Sequence, residues 1–285
     1  MKRLMQRIKT YMRPENVIIL LISLAIALLA IVLSYNFTQK RLNRYDGLPD
    51  TDNGFPMRAY DWDHLFQDEF NFRSYEDDAF TARRGIDVSE HQGEIDWSQV
   101  KESGVEFAYL RLGYRSYQLG GLHLDTRFEE YAAGLKENDI DLGVYFFSQA
   151  VTVEEAKEEA QFVLDHLRGL KVKMPIGFDM EAVVEGEENR IKDLSMEEKT
   201  LIADAFCTIL ENHGYETCIY GNPYWIYENL NLSLLTHRHL WLAHYVQRTS
   251  FPYDFRLWQY TEGGIVGGIS NPVDLDIQFL PKQNG

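Results

Sequence analysis

Asp179 and Glu181 stand as Asp-Met-Glu directly behind the apolar run Pro-Ile-Gly-Phe. If that run is a strand, residues two apart project to one face with their Cα atoms about 6.6 Å apart. Two acids would then point into one cavity, where mutual repulsion and partial burial raise the pKa of one of them. A protonated acid beside an ionised one is what glycoside hydrolysis uses, the first for the leaving oxygen and the second for the developing positive charge. The triplet is short, however, and Glu185, Glu187 and Glu188 behind it have the look of a solvated acidic loop. What surrounds the pair has to decide between the two readings.

From residue 83 onward, short apolar runs alternate with amphipathic stretches. Strands are predicted at 85–88, 105–112, 140–147, 174–180, 217–220, 240–243, 257–259 and 273–277, and helical segments at 97–102, 128–138, 153–167 and 195–212. Thr152 with Glu155, and Ser195 with Glu198, have the spacing of capping boxes at two helix starts. Glu154, Glu155, Glu158 and Glu159 are placed on the wet side of the 153–167 helix. Strand–helix–strand repeats imply parallel pairing, and this many strands in about 200 residues favour a barrel over an open sheet. The expected fold is α/β, a distorted (β/α) barrel of TIM-like kind.

Active residues in such barrels sit at the C-terminal ends of strands. That rule selects Asp87, Arg111, Tyr145, Phe147, Asp179, Glu181, Tyr220, Asn222, Tyr245, Gln259 and Asp274, among which acids are over-represented. Tyr145, Tyr220, Trp241, Tyr245, Trp258 and Tyr260 offer flat faces on which sugar rings could pack. Each is equally readable as core, and Trp241 and Trp258 could simply fill the barrel.

Net charge is −16, which excludes a phosphate-neutralising nucleic-acid binder. Two cysteines, Cys207 and Cys218, cannot build a disulfide framework and read as buried thiols. The eight histidines are scattered, and neither Cys-x-x-Cys nor His-Glu-x-x-His occurs, so no metal is predicted. Residues 17–33 (VIILLISLAIALLAIVL) carry no charge, and the run extends far enough to cross a hydrocarbon core of about 30 Å. A basic tail, 1–16, precedes it and should stay cytoplasmic. The organisation read from the sequence is therefore a tail (1–16), a single transmembrane helix (17–36), a stalk (37–80) and a catalytic domain (81–285). The stalk contains DWDHLFQDEFNFRSYEDDAF, aromatic enough to pack on the domain as a short helix or else to bind a partner.

Beyond these patterns, the domain resembles glycoside hydrolase family 25, the Chalaropsis-type muramidases. The resemblance rests on GIDVSEHQGEIDW at 85–97, FAYLRLGYR at 107–115, GVYFFSQA at 143–150, PIGFDMEAV at 175–183, CIYGNPYW at 218–225, LWLAHY at 240–245, LWQYTEGGIVGGI at 257–269 and VDLDIQF at 273–279. It implies hydrolysis of the β-1,4 bond between N-acetylmuramic acid and N-acetylglucosamine in peptidoglycan, with no metal or cofactor. It further implies Glu181 as general acid and Asp179 as the group that orients the substrate's 2-acetamido group while that group attacks the anomeric carbon. Asp87 and Asp274 become supporting carboxylates; Arg111, Tyr145, Tyr220, Trp241, Tyr245 and Gln259, taken from strand ends and aromatic positions, are the candidate substrate contacts. The expected partners are peptidoglycan glycan strands, the membrane through the N-terminal helix, and a component of the wall machinery through the stalk. A glycan-binding scaffold without turnover and a chitin-type glycosidase are the competing readings. Two departures stand out: Tyr-Phe-Phe-Ser at 145–148, where many relatives carry a histidine, and the acidic insertion VVEGEENRIKD at 183–193.

Overall fold

The computed structural model describes residues 53–182 and 189–282, together with Leu21 and Ser23. The expected tail, the anchor and most of the first half of the stalk lie outside the described residues, apart from Leu21 and Ser23, which are helical. Among the described residues no helix is long and apolar enough to cross a membrane.

Eight strands close into a barrel: β3 (Phe80–Val88), β4 (Phe107–Arg115), β6 (Asp141–Phe147), β7 (Ile176–Asp179), β8 (Thr217–Gly221), β9 (His239–Ala243), β10 (Leu257–Gly264) and β11 (Val273–Pro281). Neighbours from β3 through β10 run parallel, starting with the β3–β4 pairing. The last strand breaks the rule. β11 is antiparallel to both β10 and β3, so a hairpin closes the ring in place of a helical crossover. A short β5 (Leu122–Leu124) adds to the edge of β4 beyond its barrel pairing. Helices α1 (Trp97–Glu102), α2 (Phe128–Glu137), α3 (Val153–His166), α4 (Met196–Asn212) and α5 (Pro223–Asn229) follow β3, β4–β5, β6, β7 and β8, and no helix separates β9 from β10. The barrel is thus distorted on the β9–β11 side.

Strand alternation sorts the chain into two cores. Even-numbered residues of β4, Ala108, Leu110 and Leu112, join the layer beneath the helices, while Phe107 and Tyr109 point inward. Inside, they meet Met174, Cys218, Tyr220, Trp241 and Leu257. Such large rings fit because glycines face them. A Cβ on Gly85 would lie 2.0 Å from the Phe107 ring, and one on Gly143 would lie 2.8 Å from Tyr109. Both cysteines are buried free thiols, and burial pushes the Cys207 thiol up to about 12.

The helix starts follow their local sequence. Ser195 and Glu198 form a reciprocal capping box at α4, and the Thr152 side chain caps α3. One face assignment is corrected. Glu159 of α3 has no exposed surface, because the Arg115 guanidinium and the Ser148 hydroxyl both bond its carboxylate at 2.7 Å. A run of glutamates conceals such a residue, since its partner lies 44 positions away.

The aromatic stretch before residue 80 packs on the barrel, and it does so without forming a helix of its own beyond the single 3-10 turn Trp62–His64. It forms a hairpin of β1 (Leu65–Gln67) and β2 (Arg73–Tyr75). Tyr60 stacks on Phe279 with centroids 4.1 Å apart, and the Trp62 indole N–H donates to the Thr249 carbonyl at 2.6 Å. Trp258 and Tyr260, considered above as sugar platforms, belong to this outer layer. Alternation along β10 turns Leu257 and Gln259 inward and sends the two rings out to the hairpin, where Arg73 lies 4.7 and 4.6 Å from their centroids.

Candidate active site

At the C-terminal end of the barrel a cavity of about 200 Å³ is lined by Asp87, Tyr145, Asp179, Glu181, Tyr220, Trp241, Tyr245, Gln259, Glu262 and Asp274. They arrive on seven strands or just past their ends, and register aligns them: Asp87 lies opposite Asp274 across β3–β11, and Asp179 opposite Tyr220 across β7–β8. The cavity thereby unites the four carboxylates and five of the six contact residues selected from the sequence. Arg111 is not among its lining. Its guanidinium is taken up beside the cavity by Asp125 at 2.8 Å and Glu90 at 3.0 Å. Asn222 is a helix cap, accepting from the Trp225 N–H at 2.8 Å, and Phe147 does not line the cavity either.

Every charged side chain in that lining is acidic: Asp87, Asp179, Glu181, Glu262 and Asp274. Burial without a cation makes ionisation costly. Asp179 is held far above the ordinary carboxylate range, first by burial and then by the charges of Glu181 and Asp87, with Arg111 opposing weakly. Burial raises Glu181 to about 7. Burial, then Asp87, Glu262 and Glu181, raises Asp274 to about 8. Asp179 and Glu181 lie close enough to share a proton, so the pair retains at least one at neutral pH.

A polar network fixes the floor. The Tyr220 and Tyr245 hydroxyls both donate to Gln259 Oε1, at 2.9 and 2.7 Å, which turns the amide nitrogen toward Asp87 Oδ2 at 2.7 Å. Beneath lies Asp276, fully buried, paired in register with Gly85 and accepting the Trp241 indole N–H at 2.7 Å. Burial brings Asp276 to about 7, and its closeness to Asp87 raises Asp87 further. Asp276 was missed from sequence, although Val-Asp-Leu-Asp places two acids on one face of a strand. Trp241 is a floor residue, 1% exposed and in contact with Tyr109, Tyr145 and Tyr220, whereas Tyr245 stands 39% exposed at the mouth.

Glu181 follows the end of β7 and is held by its backbone: the fully buried Gln149 donates from Nε2 to the Glu181 carbonyl at 2.8 Å. Arg190, within the acidic insertion, donates to the Gln149 carbonyl at 2.9 Å and pairs with Glu155 at 2.7 Å. Residues 183–188 of that insertion lie outside the described residues.

A sequence profile of "Glycosyl hydrolases family 25" matches residues 86–269. The autolytic lysozyme of Clostridium acetobutylicum is 28% identical over 194 residues, covering 68% of this chain and 55% of that protein. Lysozyme M1 of Streptomyces globisporus is 27% identical over 202 residues, covering 67% of this chain and 66% of that protein. The chain thus spans only about half the length of the clostridial relative. Among solved structures, the modular autolysin LytC of Streptococcus pneumoniae, in complex with a synthetic peptidoglycan ligand, is similar with a TM-score of 0.63 and 22% identity over 76% of this chain and 52% of that one. The bacterial lysozyme of Streptomyces coelicolor is similar with a TM-score of 0.54 and 25% identity over 71% of this chain and 92% of that one.

Proposed function

The chain belongs to glycosyl hydrolases family 25, and from that membership we propose that it is a peptidoglycan muramidase, cleaving the β-1,4 bond between N-acetylmuramic acid and N-acetylglucosamine in cell-wall remodelling. The observation that carries this reading is the cluster of buried acids with no cation in the cavity lining. Such a cluster holds protons at neutral pH, and a proton held ready is what acid-catalysed glycosidic cleavage requires.

The roles divide by position. Glu181 donates to the leaving oxygen. Asp179, deepest of the pair, receives the N–H of the substrate's 2-acetamido group and orients its carbonyl oxygen toward the anomeric carbon. Which acid holds the shared proton then depends on the substrate. An N–H donated to Asp179 favours its ionised form and leaves the proton on Glu181, so binding itself sets the acid. The acetamido oxygen forms a bond to the anomeric carbon as the glycosidic bond breaks, and the leaving oxygen takes the Glu181 proton. Water then opens the cyclic intermediate, returning a proton to Glu181. Asp87 and Asp274 support the site from its floor, and Gln259 keeps Asp87 aimed inward. The enzyme supplies no nucleophile, so the close spacing of the acids is no obstacle.

Mass analysis of fragments released from purified peptidoglycan tests the bond. Products ending in reducing N-acetylmuramic acid support the proposal, and products ending in reducing N-acetylglucosamine, or turnover confined to chitooligosaccharides, refute it. We also propose that residues 17–36 anchor the protein with the catalytic domain outside the membrane, on the strength of the uncharged run and the basic tail before it. Protease accessibility of the domain in intact cells checks that placement.

A further inference from the structure

Beside the cavity lies a larger depression of about 810 Å³. One wall is the β1–β2 hairpin, with Phe66, Phe70 and Arg73, and the other is formed by residues 247–248 and the far end of β10 with Ile265. The two depressions share a wall. Tyr245 and Glu262 line the cavity, while Gln247, Arg248, Thr261 and Gly263, their near neighbours in sequence, line the groove.

Their chemistry is opposite. The charged residues of the cavity are all acids, whereas those lining the groove are both cations, Arg73 and Arg248, in a chain of net charge −16. Arg248 is half-exposed and reaches Asp63 at 2.9 Å. Arg73 has no carboxylate partner among the described residues. Its Nη1 donates to the Val246 carbonyl at 2.7 Å, and its guanidinium rests on the Trp258 and Tyr260 rings. A guanidinium fixed this way keeps its remaining N–H groups free of an anion and oriented for one. Around it, Phe66 is 49% exposed, Phe70 39% and Ile265 93%, which is unusual apolar exposure to concentrate in one groove.

We propose that this groove binds the peptide stem of peptidoglycan, its carboxylates at Arg73 and Arg248 and its apolar side chains against Phe66, Phe70 and Ile265. This rests on the muramidase reading, and it adds what that reading leaves open, namely which strands are preferred. The stem hangs from the same muramic sugar whose glycosidic bond is cut, so it must leave the cleft within a few ångströms of the acids. The groove with the opposite charge lies across the β10 rim from those acids, where Thr261 and Gly263 flank Glu262. Stem-bearing strands are therefore preferred substrates, and bare glycan is a poor one.

The test compares the full-length protein in detergent on two substrates: glycan strands with stems intact, and the same strands after an amidase has removed the stems. The expected result is a kcat/KM about tenfold higher on stem-bearing strands, carried mainly by KM. In Arg73→Gln, and separately in the exposed-site variants Phe66→Ala and Ile265→Ser, that ratio falls toward one. The solvent-facing variants guard against a folding defect in Arg73→Gln, which also loses packing on two rings. Equal kcat/KM on the two substrates in the wild type would overturn the inference while leaving the muramidase reading intact. So would an undiminished ratio in all three variants. Absence of cleavage of either substrate would overturn the muramidase reading itself.

Discussion

Two of the places where the protein buries carboxyl groups treat them in opposite ways. On α3, Glu159 has no exposed surface and meets Arg115 and Ser148 at 2.7 Å each; Arg115 also donates to the carbonyls of Gly120 and Glu155. Burial raises Glu159 to about 7 although Ser148 and Arg115 pull against it, so what sets it apart from the cavity acids is its paired guanidinium. At the barrel mouth, Asp87, Asp179, Glu181 and Asp274 share a cavity with no cation in its lining, above the buried Asp276. The first arrangement neutralises a charge with a partner and fixes the packing of α3 on the barrel. The second neutralises charge by holding protons, which are available to a substrate. Burial alone does not mark a site; burial without a counter-ion does.

Exchanging the two acids for amides gives the largest contrast. Glu181→Gln should lower kcat on peptidoglycan by about a thousandfold, within the range that general acid catalysis supplies, with circular dichroism unchanged. A loss smaller than tenfold would remove Glu181 from its role. Glu159→Gln should do the reverse, keeping turnover per folded molecule near the wild-type value. It leaves the Arg115 charge buried with a weaker partner, so urea unfolding should show a loss of about 3–5 kcal/mol. If Glu159→Gln proved as stable as wild type, the distinction between the two clusters would collapse.

Intermediate in size is Gln259→Ala. It unties the Tyr220 and Tyr245 hydroxyls and leaves Asp87 without its donor, so kcat/KM should fall about tenfold, in line with the roughly 1–3 kcal/mol of an orphaned buried group. An unchanged rate would show that the floor needs no amide.

The smallest effects lie in pH. Glu181 is raised to about 7 from 4.5, so the acid form persists to neutrality and kcat/KM should fall as pH climbs through about 7. The folded state holds that proton more tightly than the unfolded chain does. The contribution to stability is therefore fully present at acid pH and is lost progressively as pH rises from about 4.5 to 7. Glu181→Gln removes the loss, and its Tm should exceed the wild type's by a few degrees at pH 8 and by nothing at pH 4. A Tm difference independent of pH would place the effect elsewhere.

Much of the site was readable because a strand's alternation is local. The apolar run read as a strand led to Asp179 at its end and Glu181 just beyond, although β7 stops at Asp179, and other strand ends led to Asp87, Gln259 and Asp274. What escaped depends on register or on distant partners. Asp276 sits one layer below Asp274 and is distinguished from it only by the pairing with Gly85. Arg111 has the right strand-end position, yet Glu90 and Asp125, brought by two other loops, take its guanidinium. Glu159 looks like its exposed neighbours in sequence. Trp258 and Tyr260 follow the alternation faithfully, but only the hairpin of residues 65–75, which covers them, explains why rings on the outer face are needed. The anchor is read from hydropathy alone, and apart from Leu21 and Ser23 it lies outside the described residues.

The reversed direction of β11 has a consequence in time as well as in space. Asp274 and Asp276 come from the final strand, and they meet Asp87 only when that strand zips against β3, from Asp274 beside Asp87 to Pro281 beside Phe80. During synthesis, every other acid of the cavity emerges first and waits. The floor stays open until the last segment docks. A glycosyl hydrolase built this way would thus be born inert, and armed only by the completion of its fold.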